Sequence, residues 1–294
     1  VRRPLIIDGG LATGLEELGH RLESPLWSAG FFLQRPDLVE DLHRTYLECG
    51  ADILISASYQ MSFEGLGRAG LPRAAAADAL RRTVETARRA RDRFKPSAIV
   101  AASVGPYGAT LADGSEYHGC YGLDAKQLAG FHRERFEVLA ESGADLLAVE
   151  TIPSIEETEA LCDLASRLER VQAWVSFTCR DGACLRDGTP ISRAAAVAAR
   201  VPQVKAIGVN CTAPGHVASL MEGIRSVTDR PILVYPNSGE SWDAARRAWT
   251  GTFQPARFVR QALEWADRGA WAVGGCCRIG PGVIARLASA LCGL

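Results

Sequence analysis

Two cysteines stand side by side in AVGGCCRIGP, residues 272–281, and a third closes VKAIGVNC, residues 204–211. Adjacent cysteines rarely bond each other, because Cα atoms across one peptide are ~3.8 Å apart, less than a disulfide normally spans. Cys276 and Cys277 are therefore core thiols, partners of distant cysteines, or ligands of a metal. Together with Cys211 they offer three thiolates at the ends of apolar runs. That set suits zinc, which takes cysteine sulfur at ~2.3 Å in a tetrahedral site. Three protein ligands leave one position open, the arrangement of a catalytic ion. The bland alternative, a small buried apolar residue, is taken for Cys49, Cys162 and Cys292 on helix-like segments and for Cys120, Cys179 and Cys184 in loops.

Two acids also end apolar runs, Asp8 after LII and Glu150 in LLAVE. An unpaired charge there is expensive, and an ammonium group is the cation that wants carboxylate acceptors. Asp8, standing before two glycines, could instead cap a helix; Glu150, in AVETIP, has no such alternative. Tyr59, Tyr107, Tyr235 and Trp242 fall near the same rim, where an aromatic face could meet a cation or simply pack. The five histidines, His20, His43, His118, His132 and His216, show neither HxH nor HExxH spacing, which argues against a hydrolytic zinc centre. No GxSxG elbow points to a serine hydrolase.

The elements that must position these groups are eight short apolar runs: 5–8, 52–58, 98–105, 145–151, 173–178, 204–211, 231–237 and 270–276. Segments of helical periodicity lie between them, as in 38–50, 79–94, 128–143 and 256–269. Three of these end in glycine before a new strand, in CGADIL, SGADLL and RGAWAV, as a helix C-terminus prefers. Eight strand-then-helix units in 294 residues predict a single-domain α/β protein over 1–294, a closed (β/α)8 TIM barrel. An open doubly wound sheet is the runner-up, and it would normally show fewer strands. In such a barrel reactive groups gather at the C-terminal strand ends, here Asp8, Ser58, Gly105, Glu150, Thr178, Cys211, Asn237 and Cys276 with Cys277. The longer connections, 9–36, 58–72, 105–123 and 178–191, would stand on that rim.

A formal net charge of -1 gives no footprint for nucleic acid, and the arginines of 81–93 lack interleaved aromatics. The opening VRRPLIIDGG is too short in its apolar run for a signal peptide, and no run approaches membrane-spanning length. The expectation is a cytosolic protein whose nine cysteines stay reduced, without a disulfide framework. No dimerisation arm is visible, so a monomer is the default.

The chain resembles the zinc-dependent homocysteine S-methyltransferases. The blocks that carry the likeness are DGGLATGLEELG, SASYQ, ASVGPYGATLADGSEYHGCYG, ADLLAVETIPSIEETEAL, VSFTCRDG, IGVNCTAP, VYPNSGESWD and GGCCR. SASYQ, VGPYGA and PNSGESWD look most like the branch that uses S-methylmethionine. The resemblance implies a (β/α)8 enzyme in which Cys211, Cys276 and Cys277 bind zinc. It also implies that Asp8 and Glu150 hold the homocysteine amino group, with backbone amides near Gly9 and Gly10 for its carboxylate. The implied reaction moves a methyl group from a sulfonium, S-methylmethionine or S-adenosylmethionine, to the homocysteine thiolate and gives methionine. Three thiolate ligands keep a zinc-bound sulfur electron-rich, which favours alkyl transfer over water activation. Two other readings keep the site: a selenol or other thiol acceptor such as selenocysteine, or a barrel that zinc merely stabilises for partner binding.

Overall fold

The structure, a computed structural model, describes residues 3–20, 27–111, 113–243 and 248–292. Its strands are β1 (Leu5–Ile6), β2 (Ile53–Ile55), β3 (Ile99–Val104), β4 (Leu146–Ile152) and β5 (Gln172–Phe177), followed by β6 (Val204–Asn210) and β7 (Ile232–Tyr235). After these come β8 (Ser241–Asp243), β9 (Ala248–Thr250) and β10 (Ala270–Val273). The helices are α1 (Leu11–Glu17), α2 (Trp27–Gln34), α3 (Pro36–Glu48), α4 (Phe63–Arg68), α5 (Arg73–Phe94) and α6 (Ala125–Ala140). They continue with α7 (Ile155–Ser166), α8 (Ile191–Ala199), α9 (Val217–Arg225), α10 (Pro255–Asp267) and α11 (Pro281–Cys292).

Eight strands pair in parallel in the order β1-β10-β7-β6-β5-β4-β3-β2. The cylinder closes at β1 and β2 through a parallel bridge between Ile7 and Ile53, with Asp8 N donating to the Ile53 carbonyl at 3.0 Å. This is the (β/α)8 barrel that the eight apolar runs predict. Strands buried on both faces need continuous apolar sequence, and the two faces can still be told apart by parity. Val100, Val149, Val175 and Val209 face the helices, whereas Ala101, Ala148, Trp174 and Leu233 plug the interior. The left-handed glycines that end α3, α6 and α10 are Gly50, Gly143 and Gly269, with φ of 101°, 83° and 85°. The antiparallel pair β8 and β9 stands outside the barrel and was not expected.

Several small expectations resolve here. His43 is fully buried, with both ring nitrogens unpartnered, and burial pushes its pKa down to about 4. It is a neutral packing residue. Cys162 and Cys179 are buried as expected, but Cys120 and Cys292 are exposed, so the small-apolar reading fails for those two. Cys292 is the last residue of α11 and Cys120 follows a surface turn, positions that no core reaches.

Candidate active site

Inward parity at the C-terminal end of the strands builds a polar layer over the apolar plug. Ser103, Glu150, Ser176, Asn210 and Tyr235 are all buried. Glu150 accepts a short hydrogen bond from the Ser103 hydroxyl and another from the Tyr235 hydroxyl at 3.0 Å. Tyr235 in turn meets Ser176 Oγ at 2.6 Å and Trp174 Nε1 at 3.1 Å. The chain of bonds fixes the Glu150 carboxyl, and burial raises its pKa to about 7. Asp8 is 3% exposed; its Oδ2 accepts the Ile55 amide at 2.9 Å, and burial raises its pKa well above the usual carboxylate range.

Among the described residues three non-glycine side chains occupy the left-handed region: Thr151 (φ 62°), Cys211 (φ 44°) and Arg278 (φ 67°). Each is in the site or follows a residue that is. Such backbone costs about 1–3 kcal/mol and persists only where surroundings impose it. Asn210 imposes it on Thr151: its Oδ1 accepts the Thr151 amide at 2.8 Å and its Nδ2 donates to Thr151 Oγ1 at 2.7 Å. The β4–β5 register shifts between Val149 and Ile152, the stretch that carries Glu150. Asn210→Ala is expected to lower stability by about 2–4 kcal/mol, because it orphans buried partners and frees a strained residue. Denaturant unfolding would read this out, and a change below about 1 kcal/mol would contradict it.

Cys211 follows Asn210 at the end of β6, and Cys276 and Cys277 lie in the turn after β10, with β7 between the two strands. Cys276 N donates to the Pro236 carbonyl at 2.8 Å, so β7 sets the height of the turn. A Cβ on Gly10 would stand 2.7 Å from the Cys276 carbonyl oxygen, which is why glycine serves there. The three sulfurs lie within 4.8 Å of one another. Cys277 Sγ is 3.8 Å from Cys211 Sγ and 4.0 Å from Cys276 Sγ. Cys211 and Cys276 are joined as a disulfide with Cα atoms 5.6 Å apart. The sequence argued against disulfides, and this pairing corrects it: neighbouring strand ends bring two of the three thiols to bonding range. Cys276 and Cys277 are not bonded to each other.

A single cavity of about 180 Å³ collects Cys211, Cys276 and Cys277 with Asp8, Gly9, Gly10 and Glu150. Every site residue expected from the sequence therefore lines one space. Gly10 lines it with its amide already engaged by the Ile279 carbonyl at 2.9 Å, so Gly9 and the first turn of α1 face the cavity instead. Of the rim aromatics, Tyr59 and Tyr235 line it. Tyr107 packs edge-on against Tyr121 and Phe131, and the Trp242 side chain lies outside the described residues. Glu116 and Tyr117 also line the space, and the Tyr117 hydroxyl is near enough to the Cys277 sulfur to favour its thiolate. These two were missed, because they sit in a loop without periodicity. Ser103, Ser176 and Asn210 were missed although strand parity could have found them.

Beneath the loops lies a wholly buried group, His132 and Arg135 on α6 with Glu157 on α7. Glu157 Oε1 meets His132 Nε2 at 2.8 Å and accepts the Tyr107 amide at 2.5 Å. Arg135 donates to the Met61 carbonyl at 3.1 Å and to the Gly105 carbonyl. The helix pair thus pins the loops after β2 and β3.

Cys277 shows what the cluster can do. Burial pushes its thiol up to about 11, so it keeps its proton at neutral pH unless a cation offsets the desolvation. Three converging sulfurs at one rim fit a soft divalent ion. The fold and site define a class, (β/α)8 barrels that gather a cluster of cysteine sulfurs at the strand ends. The family profile described as homocysteine S-methyltransferase matches residues 5–291. Homocysteine S-methyltransferase YbgG of Bacillus subtilis is 41% identical, over 97% of this chain and 93% of its own. The homocysteine methyltransferase MmuM of Escherichia coli, in its metallated form, superposes with a TM-score of 0.87 at 40% identity, covering 98% of this chain and 96% of its own. The same protein in its oxidized form gives a TM-score of 0.88 at 40% identity, covering 97% of this chain and 95% of its own. A selenocysteine Se-methyltransferase of Brassica oleracea is 44% identical over 95% of this chain and 86% of its own. The chain belongs to the homocysteine S-methyltransferase family and is a methyltransferase.

Proposed function

We propose that the protein transfers a methyl group from a sulfonium, S-methylmethionine or S-adenosylmethionine, to the sulfur of homocysteine, giving methionine, with zinc as its cofactor. The observation that carries this reading is the make-up of the cavity: three cysteine sulfurs and three carboxylates line it, and no lysine, arginine or histidine among the described residues does. With the Cys211–Cys276 bond reduced, Cys211, Cys276 and Cys277 would hold the zinc. When bound there, zinc keeps a coordinated thiol deprotonated at neutral pH and so supplies a nucleophilic sulfur.

The protein's own groups bind and orient. Asp8 and Glu150 take the homocysteine ammonium, which offsets the cost of burying two carboxyls. The Gly9 amide and the first turn of α1 face its carboxylate. A cavity lined by acids attracts a cationic donor and repels an anionic one, so a sulfonium is favoured over a polycarboxylate carrier. The methyl carbon gains a bond to the acceptor sulfur as its bond to the donor sulfur breaks. The electron pair returns to the donor, leaving two neutral thioethers, and the chain needs no general base for this step. Its contribution is alignment, worth up to several kcal/mol.

The experiment is methionine formation by freshly reduced, zinc-loaded protein given homocysteine and each sulfonium, with zinc content determined on the same sample. Turnover with S-methylmethionine is the expected result; zinc-loaded protein that uses neither donor would refute the reading. A second acceptor, selenocysteine, is favoured by the 44% identity to the Brassica oleracea selenocysteine enzyme, and competition between the two acceptors separates them. Among the described residues no helix is long and apolar enough to cross a membrane. Zinc binding by these cysteines needs them reduced, as a reducing compartment keeps them, and we place the protein in the cytosol, acting as a monomer.

A further inference from the structure

The three carboxylates of the cavity are not alike. Asp8 and Glu150 are each held by hydrogen bonds from the barrel. Glu116 is different: its Oε2 is buried with no hydrogen-bond partner among the described residues, and the basic group near enough to act on it, His118, does not line the cavity. A buried charge without partners costs several kcal/mol, and such an atom calls for an explanation.

Its placement is built. Glu116 sits in the turn Ser115–Tyr117 of the loop after β3. Asp113 holds that turn by accepting the Ser115 amide at 2.9 Å, and the Ser115 hydroxyl as well. Gly108 underlies it, because any Cβ there would strike the Glu116 backbone nitrogen. The Tyr117 ring is backed by the Arg186 guanidinium at 5.4 Å. Glu116 lines the same cavity as Tyr59, Tyr117 and the three cysteines, so it faces the space in which the methyl group must travel.

We propose that Glu116 is a donor-binding residue, whose carboxylate is the counter-charge for the sulfonium of the methyl donor, with the rings of Tyr59 and Tyr117 beside it. This rests on the reading of the donor as a sulfonium. The chemistry separates its task from those of Asp8 and Glu150. An ammonium has protons and is met by carboxylates oriented through hydrogen bonds. A sulfonium has none, and takes only charge and aromatic faces, which a carboxylate oxygen without hydrogen bonds provides. As the methyl group moves, the donor charge disappears. Glu116 therefore stabilises the bound donor more than the transition state, and its loss raises KM for the donor with little loss in kcat.

The test compares wild type with Glu116→Gln and Glu116→Asp by calorimetric binding of S-methylmethionine and of methionine, the uncharged counterpart, alongside KM for homocysteine and zinc content. In Glu116→Gln the affinity for S-methylmethionine is expected to fall on the order of tenfold, and methionine binding, homocysteine KM and zinc content to stay within about twofold. Glu116→Asp is expected to fall between. Equal losses for S-methylmethionine and methionine would show a role in shape alone, and an unchanged preference for the cation would remove Glu116 from donor binding; either result overturns the proposal. A wild type that does not prefer the cation overturns the sulfonium reading itself, and the proposal with it. The glutamine variant keeps the side-chain shape and removes an unpaired charge, so it is expected to fold at least as stably as wild type.

Discussion

Cys277→Ser protein is expected to retain no zinc after dialysis and to lose methyl transfer by at least about 10³-fold, because the open-site reading leaves no spare ligand. Cys211→Ser and Cys276→Ser should match it. Cys277→Ser is the most informative of the three, since it leaves the Cys211–Cys276 pair intact and separates ligand loss from oxidation. Cys49→Ser, distant on the end of α3, should change neither property. Metal content and methionine formation on fully reduced samples read this out. A metal-free triple variant with full activity would end the thiolate reading.

Glu150→Gln should move function and stability in opposite directions. Burial lifts the carboxyl from 4.5 to about 7, so the folded chain takes up a proton between those values. The stability present below pH 4.5 is lost as pH rises through 7, by up to ~3 kcal/mol. Glutamine does not titrate and keeps the shape, so the variant should melt higher than wild type, most clearly at pH 8. At the same time it removes an ammonium partner, and homocysteine KM should rise on the order of 100-fold. In wild type, kcat/KM for homocysteine should fall as pH drops below 7 and the carboxyl gains its proton; the variant should lack that limb. An unchanged homocysteine KM would remove Glu150 from the substrate.

Much of this was legible in the residues. The eight apolar runs fall on the eight barrel strands, because a strand buried on both faces cannot hide its composition. The three cysteines and two acids meet in one cavity because a barrel gathers all strand ends at one rim. What was not legible depends on distances that sequence spacing does not encode. That Cys211 and Cys276 reach bonding range follows from the stagger of β6, β7 and β10, and that the Gly10 amide is engaged follows from where Ile279 folds back. Glu116 belongs to an irregular turn whose position is set by Gly108 and by the buried group under the loops, so no periodicity announces it. The strands β8 and β9 are three residues each and leave no apolar pattern in the sequence.

The closing join of the barrel carries one more consequence. β1 is two residues long and meets β2 through the Ile7–Ile53 bridge, reinforced by the Asp8 carboxylate on the Ile55 amide. The same carboxylate faces the cavity. Occupancy of the site and local opening of the cylinder are therefore linked equilibria sharing one group. Slower hydrogen exchange at the Ile55 amide would register a bound amino acid, and a fluctuation that unzips this seam would release its amino end.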